Sequence, residues 1–197
     1  MLLYRFKVTR KLTLIIENLF FNIYYAALFK NRISIFGFPI ISIAKGASVQ
    51  IGKNLTLISS SFFSEPGICQ PVIIRLLNKN AKLVIGNNVG ISGGCICSQT
   101  AIRIGSNCLI GANVKIMDTD FHPQNPQNRR YSTANIYSKE IVIDDNVFIG
   151  MNTLILKGSY IGKNTIIGAG SVVVGEIPPN SIAVGNPAKV VKKIDIL

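Results

Sequence analysis

The chain has 197 residues, enough for one domain with a core of its own and at most a small appendage. A hydrophobic content of 48% fits a fold that buries every second residue, and it does not require a membrane span. The net charge is +12, but no helix-turn-helix, aromatic stacking motif or zinc-finger spacing accompanies it, so nucleic acid is set aside as a partner. A phosphorylated co-substrate, an acidic glycan and an anionic membrane remain as reasons for the basic surface.

Residues 1–40 read as an N-terminal unit. Arg5, Lys7, Arg10 and Lys11 precede an apolar run from Leu12 to Phe29, which Lys30 and Arg32 close. Wound as a helix, the run stacks Arg10, Thr13 and Glu17 opposite a broad face of Leu, Ile and Phe, with Asn18 and Asn22 alongside. It is therefore amphipathic, and its Glu and Asn residues are costly in hydrocarbon. Two roles stay open: a cap over one end of the core, or a helix on the inner face of the membrane, held by the basic flanks in residues 5–32. No small-residue cleavage site follows the run, so a cytoplasmic setting is expected.

From residue 41 to 191 a six-residue period dominates. It starts irregularly in Val49–Leu55 and lapses between Ser59 and Pro71, where Ser59–Phe63 and Pro66-Gly67 read as a loop or bulged coil. It returns at Ile85, Ile91 and Cys97, then shifts by one residue to Ile104, Ile110 and Ile116. In that register Cys95, Cys97 and Cys108 point inward as small buried hydrophobes, neither disulfide-forming nor metal-binding. Corners fall at Gly86, Asn87, Asn88, Gly105, Asn107, Gly111 and Asn113, residue types that tolerate positive φ.

Between Ile116 and Ile143 the period is suspended. The segment 118–140 carries Pro, Asn, Ser and Arg without periodicity, so it projects from the body, and long loops in compact domains are usually functional. The repeat is then at its clearest: Ile143, Ile149, Ile155, Ile161, Ile167 and Val173 recur at every sixth position. Val147, Thr153, Ser159, Thr165 and Ser171 precede them by two, which is strand alternation with two inward positions around one outward. Gly150, Gly162, Gly168, Asn146, Asn152 and Asn164 turn the corners, so each unit is a short strand plus a corner and the chain winds into a prism. Pro178 and Pro179 end the regular pairing, and 192–197 form a basic tail.

This pattern resembles the hexapeptide-repeat acyltransferases. The resemblance implies an all-β solenoid, a left-handed parallel β-helix with three six-residue faces per coil; the period alone does not set the hand. Asp118-Thr119-Asp120-Phe121-His122-Pro123, followed by Asp145-Asn146-Val147-Phe148-Ile149-Gly150, looks like the branch of sugar, maltose and capsular-polysaccharide O-acetyltransferases. It covers roughly Ile85 to Lys192 and leaves the first thirty residues outside.

His122 is the single histidine of the chain. Moving an acetyl group from a thioester to a hydroxyl needs a base for the hydroxyl proton, and imidazole titrates in a suitable range. The resemblance gives His122 that role; Asp118 or Asp120 is expected to orient its ring or merely to cap the turn. The resemblance also implies acetyl-CoA held between prisms of a homotrimer. Its arm would meet Phe148, Gly150, Met151, Gly168, Ala169, Val174 and Gly175, and its phosphates Lys189 and Lys192. Phe148 stands where many relatives carry Trp, which keeps an aromatic wall but loses an indole donor. Arg129 and Arg130 are candidates for an acidic sugar, and Tyr131 and Tyr137 for stacking on a sugar ring; a solvated loop pair is the plainer reading of the arginines.

The expected activity is acetyl transfer to a sugar hydroxyl, with a bacterial surface polysaccharide or its precursor as acceptor and no metal. An N-acetyltransferase acting on a nucleotide-linked amino sugar and a non-catalytic solenoid binding module are the alternatives. A γ-class carbonic anhydrase, which shares the prism, is excluded because one histidine per chain does not supply its three zinc ligands.

Overall fold

The computed structural model describes residues 33–195, together with Leu19, Ile23 and Asn31. Apart from Leu19 and Ile23, the expected helix over Leu12–Phe29 lies outside the described residues, as do its role as cap or membrane anchor and the last two residues of the tail. Leu19 and Ile23 are helical and exposed.

The described chain is a run of short strands. The first coils contain β1 (Ile33–Phe36), β2 (Ile40–Ile43), β3 (Ser48–Ile51), β4 (Leu55–Ile58), β5 (Ile73–Leu76) and β6 (Lys82–Ile85). Then come β7 (Gly90–Ser92), β8 (Cys95–Ser98), β9 (Ala101–Ile104), β10 (Leu109–Ile110) and β11 (Lys115–Met117), before the long loop. Beyond it lie β12 (Ile141–Ile143), β13 (Phe148–Ile149), β14 (Leu154–Leu156), β15 (Tyr160–Ile161), β16 (Ile166–Ile167), β17 (Val172–Val173) and β18 (Glu176–Ile177). β19 (Ser181–Gly185) and β20 (Ala188–Lys193) close the chain as an antiparallel pair.

Each strand from β1 to β16 pairs in parallel with the strand three places on, so the strands sort into three faces. The first face runs β1-β4-β7-β10-β13-β16-β19-β20, the second β2-β5-β8-β11-β14-β17 and the third β3-β6-β9-β12-β15-β18. The prism begins at Ile33, ahead of the boundary at residue 41 that the period suggested, because β1 is in full register with β4.

The core is the row of inward aliphatics. Ile149, Ile155, Ile161, Ile167 and Val173 are completely buried, and each contributes roughly 2 kcal/mol through removal of its side chain from water. Thr153, Ser159, Thr165 and Ser171 are also buried, at the start of each face. Three of their hydroxyls are satisfied locally, Thr153 donating to the Gly150 carbonyl at 2.7 Å, Ser159 to Leu156 at 2.6 Å and Ser171 to Gly168 at 2.7 Å, while Thr165 donates to the Pro178 carbonyl at 3.0 Å. Asparagines with φ near +60° turn the corner from the third face to the first, and Asn54, Asn88 and Asn107 pass amide hydrogen bonds up that corner, as do Asn146, Asn164 and Asn180.

One register differs from expectation. Ile96, not Cys97, is the inward residue of β8, aligned with Ile74 and Ile116. The tight Ser92-Gly93-Gly94 corner, with Gly93 at φ +54°, shortens the interval by one residue, and a one-residue slip flips every side chain. Cys95 and Cys97 therefore share the outer side of the second face, while Cys108 is inward and buried as expected. Cys97 is nonetheless shielded from water; burial chiefly, with the neighbouring Cys95 and Asp118, pushes its thiol up to about 11.

Candidate active site

The loop 118–140 leaves the prism at the corner between the second and third faces, after β11, and returns to β12. Its first residue is the most firmly held. Asp118 is completely buried and its carboxylate accepts four hydrogen bonds, from the Ser98 hydroxyl at 2.9 Å, the Gln99 amide at 2.6 Å, and the Thr100 amide and hydroxyl at 2.8 and 2.9 Å. All four donors belong to the equivalent corner one coil below, so Asp118 ties the root of the loop to the prism. Its carboxylate bonds go to that corner, not to the imidazole of His122.

The two arms of the loop pair above this root. Lys139 donates its amide to the Asp118 carbonyl at 2.9 Å, Thr119 forms an antiparallel bridge with Ser138, and Asp120 donates its amide to the Tyr137 carbonyl at 3.1 Å. The side chain of Asp120 takes an ion pair from Lys157 at 2.5 Å and a hydrogen bond from Gln124 at 3.2 Å. Desolvation pushes this carboxyl up, but the bonds from Lys157 and Gln124 and the Lys157 charge outweigh it and hold it below the usual carboxylate range.

Phe121 follows with φ +64°. Among the described residues every other non-glycine with positive φ is an asparagine, and a bulky aromatic there is a true outlier. Outliers of this kind persist where the surroundings over-determine the backbone, and they cluster at functional sites. The strained residue immediately precedes His122, which is exposed. His122 lines a surface depression with Pro126, Asn128, Arg129, Arg130 and Tyr131. Three nominated acceptor residues are thus gathered around the histidine. They are not equivalent, because Arg129 spends its guanidinium on the loop's own carbonyls, Pro123 at 3.1 Å and Gln124 at 2.5 Å. Arg130 lies over the Tyr131 ring, 5.6 Å from its centroid, and remains the arginine able to meet a ligand.

The nominated co-substrate residues divide into two groups. Phe148, Ile166, Ile182 and Lys192 form one register row on the outer side of the first face. Gly150 and Met151 turn the corner from the first face to the second; Ala169 stacks on Gly150, and a Cβ there would lie 2.5 Å from the Ala169 nitrogen. Gly168 carries Val184, which pairs with Lys189. Val174 and Gly175 instead follow β17 at the opposite corner, where the Gly175 carbonyl accepts the Tyr160 amide at 3.0 Å. A Cβ on Gly175 would meet nothing within 4 Å, which leaves its backbone open to a ligand. The nominated residues therefore fall on two corners separated by the width of the second face, and the loop shares the corner of Val174 and Gly175.

Two contributors carry no sequence signal. Lys157 occupies an outward corner position where any polar residue is permitted, and the strain at Phe121 is invisible in its residue type.

Residues 140–175 match the family model described as bacterial transferase hexapeptide, six repeats. The galactoside O-acetyltransferase of Lactococcus lactis subsp. lactis is 40% identical over 100 residues, covering 51% of this chain and 47% of that one. The galactoside O-acetyltransferase of Escherichia coli (strain K12) is likewise 40% identical over 100 residues, covering 51% of this chain and 48% of that one, so the chain spans about half the length of the curated relatives it matches. Among solved structures, the polySia specific acetyltransferase NeuO superposes with a TM-score of 0.62 at 26% identity, covering 85% of this chain and 74% of that one. A galactoside acetyltransferase in complex with coenzyme A gives 0.53 at 26% identity, covering 86% and 68%. The resemblance to the hexapeptide-repeat acyltransferases and the left-handed parallel β-helix it implies are borne out.

Proposed function

We propose that this protein transfers an acetyl group from acetyl-CoA to a hydroxyl of a sugar, in a bacterial surface polysaccharide or its precursor, with His122 as general base. The observation that carries the reading is the placement of the single histidine: it follows a strained residue on an anchored loop and opens onto a depression lined by Arg130 and Tyr131. The solved relatives that act on galactoside and polySia, one of them with coenzyme A bound, support the donor and the acceptor class.

The chemistry is a direct transfer. Imidazole of His122 removes the acceptor proton as the oxygen attacks the thioester carbonyl; the C–S bond then breaks, and the imidazolium returns its proton to the departing thiolate. Gly150, Met151, Gly168 and Ala169 on one corner, with Val174 and Gly175 on the other, offer backbone to the pantetheine arm; Phe148 supplies an apolar wall, and Lys189 and Lys192 supply charge for phosphate. Asp118 acts on the reaction through the loop it roots.

The split of the candidate contacts between two corners supports a homotrimer, in which the first-to-second corner of one prism faces the loop corner of the next. Within this reading the basic segment 5–32 holds the enzyme at the inner face of the membrane, where lipid-linked glycan precursors reside. The test is mass spectrometry of galactosides, oligosialic acid and nucleotide-linked amino sugars after incubation with the protein and acetyl-CoA. O-Acetylated glycan is the expected product. Acetylation confined to the amine of a nucleotide sugar would move the assignment to N-acetyl transfer, and coenzyme A release with none of these acceptors would remove the sugar.

A further inference from the structure

The ion pair between Asp120 and Lys157 joins the loop to a different coil from the one that roots it. Lys157 sits just beyond β14, whose Ile155 is fully buried and aligned with Ile116, so the lysine grows from the rigid body of the prism. Its ammonium reaches Asp120 on the outgoing arm at 2.5 Å and lies 5.4 Å from the ring centroid of Tyr137 on the returning arm. Those two residues are themselves joined by the bond from the Asp120 amide to the Tyr137 carbonyl. Next to the lysine, Gly158 takes φ +75° and leaves room for the chain of Lys139, whose Cδ would lie 2.7 Å from a Cβ at that position. Gly158 also donates its amide to the Lys139 carbonyl at 3.0 Å. Both arms are thus docked on the one corner above the root, and a single strained residue, Phe121, separates the clamped Asp120 from His122.

We propose that Lys157 is a positioning residue for His122, clamping both arms of the loop so that the imidazole is presented in one place. The proposal rests on the reading of His122 as the base. Both partners of the pair are about a quarter exposed, and pairs of that kind add little to global stability. Its loss should therefore leave the prism folded and be felt at the histidine.

Because the chain has one histidine, protein labelled with carbon-13 histidine gives one ring Cε1–H signal, read without any acceptor. In the full-length wild type this signal relaxes with the body of the protein. In Lys157→Met it acquires the narrow line and slow transverse relaxation of a mobile side chain, in Lys157→Arg it keeps the wild-type behaviour, and in Lys163→Met, at another corner, it does not change. A Lys157→Met signal with wild-type position and relaxation overturns the proposal. Asp120→Asn breaks the same pair from the loop side and decides the question if Lys157→Met does not fold.

Kinetics separate this inference from the reading beneath it. For the acceptor that wild type acetylates, Lys157→Met should lower kcat about tenfold to a hundredfold, the loss that follows small misplacement of a catalytic group, with the KM for acetyl-CoA within about twofold. If His122→Ala loses transfer while Lys157→Met keeps wild-type kcat, the clamp is wrong and the base stands. If His122→Ala keeps transfer, the base is wrong, and the histidine signal still judges the clamp.

Discussion

In the prism the inward rows repeat the same contacts from coil to coil, whereas the loop 118–140 is held by contacts that each occur once. Ile155 has Ile116 beneath it and Val173 above it, and the whole row is sealed from water. His122 has strained backbone before it and an open depression beside it. Redundancy suits a scaffold, because the loss of one side chain is shared among many neighbours. Singular contacts suit a site, because one group must sit in one place and still admit a substrate.

The contrast can be broken from either side. The largest effect on stability is expected from Ile155→Ala, which empties a position with no exposure; about 3 kcal/mol should be lost in denaturant unfolding, the usual range for such truncations. Transfer per folded molecule should stay close to wild type. Next comes Asp118→Ala, which strands the Gln99 and Thr100 amides at the root of the loop. A loss of about 2 kcal/mol is expected, accompanied by reduced turnover, since root and site are one element. A stability loss without any change in turnover would separate them.

A smaller effect concerns pH. The Asp120 carboxyl lies lower in the folded protein than in the unfolded chain, so the Lys157 pair contributes fully above the usual carboxylate range and is lost only as pH falls through the lowered value. Amide exchange of residues 119–121, corrected for its intrinsic pH dependence, should therefore be flat from about pH 5 to 8. Smallest is a difference among thiols. Cys69 is exposed, while Cys95, Cys97 and Cys108 are held above the ordinary thiol range, in each case chiefly by burial. Brief alkylation of the folded protein should label Cys69 first, and equal labelling of Cys97 would contradict the shielding of the second face.

The same contrast explains what could be read from the amino acids alone. The prism was readable because its logic is periodic: Ile at each sixth position, with Gly and Asn at corners, is the fold written out along the chain. The exception is Ile96, where the Gly93-Gly94 corner drops one residue and turns Cys95 and Cys97 to the outer side. In the loop, His122 stands out by its chemistry and by the family resemblance. The partners of Asp118 and Asp120 do not, because they are set by stacking between coils: Ser98, the buried last residue of β8, and Thr100 and Lys157, at corners where the repeat leaves the side chain free, are all distant in sequence. Likewise, nothing in the run from Phe148 to Gly175 announces that its candidate contacts fall on two different corners.

The most direct measurement is the rate of acetyl transfer by His122→Ala beside wild type, on the glycan acceptor that wild type modifies. His122 is exposed, so the variant should unfold at the wild-type midpoint while its turnover falls by about two to four orders of magnitude, the usual contribution of a general base. A folded His122→Ala protein that acetylates the same hydroxyl at the wild-type rate would contradict the account.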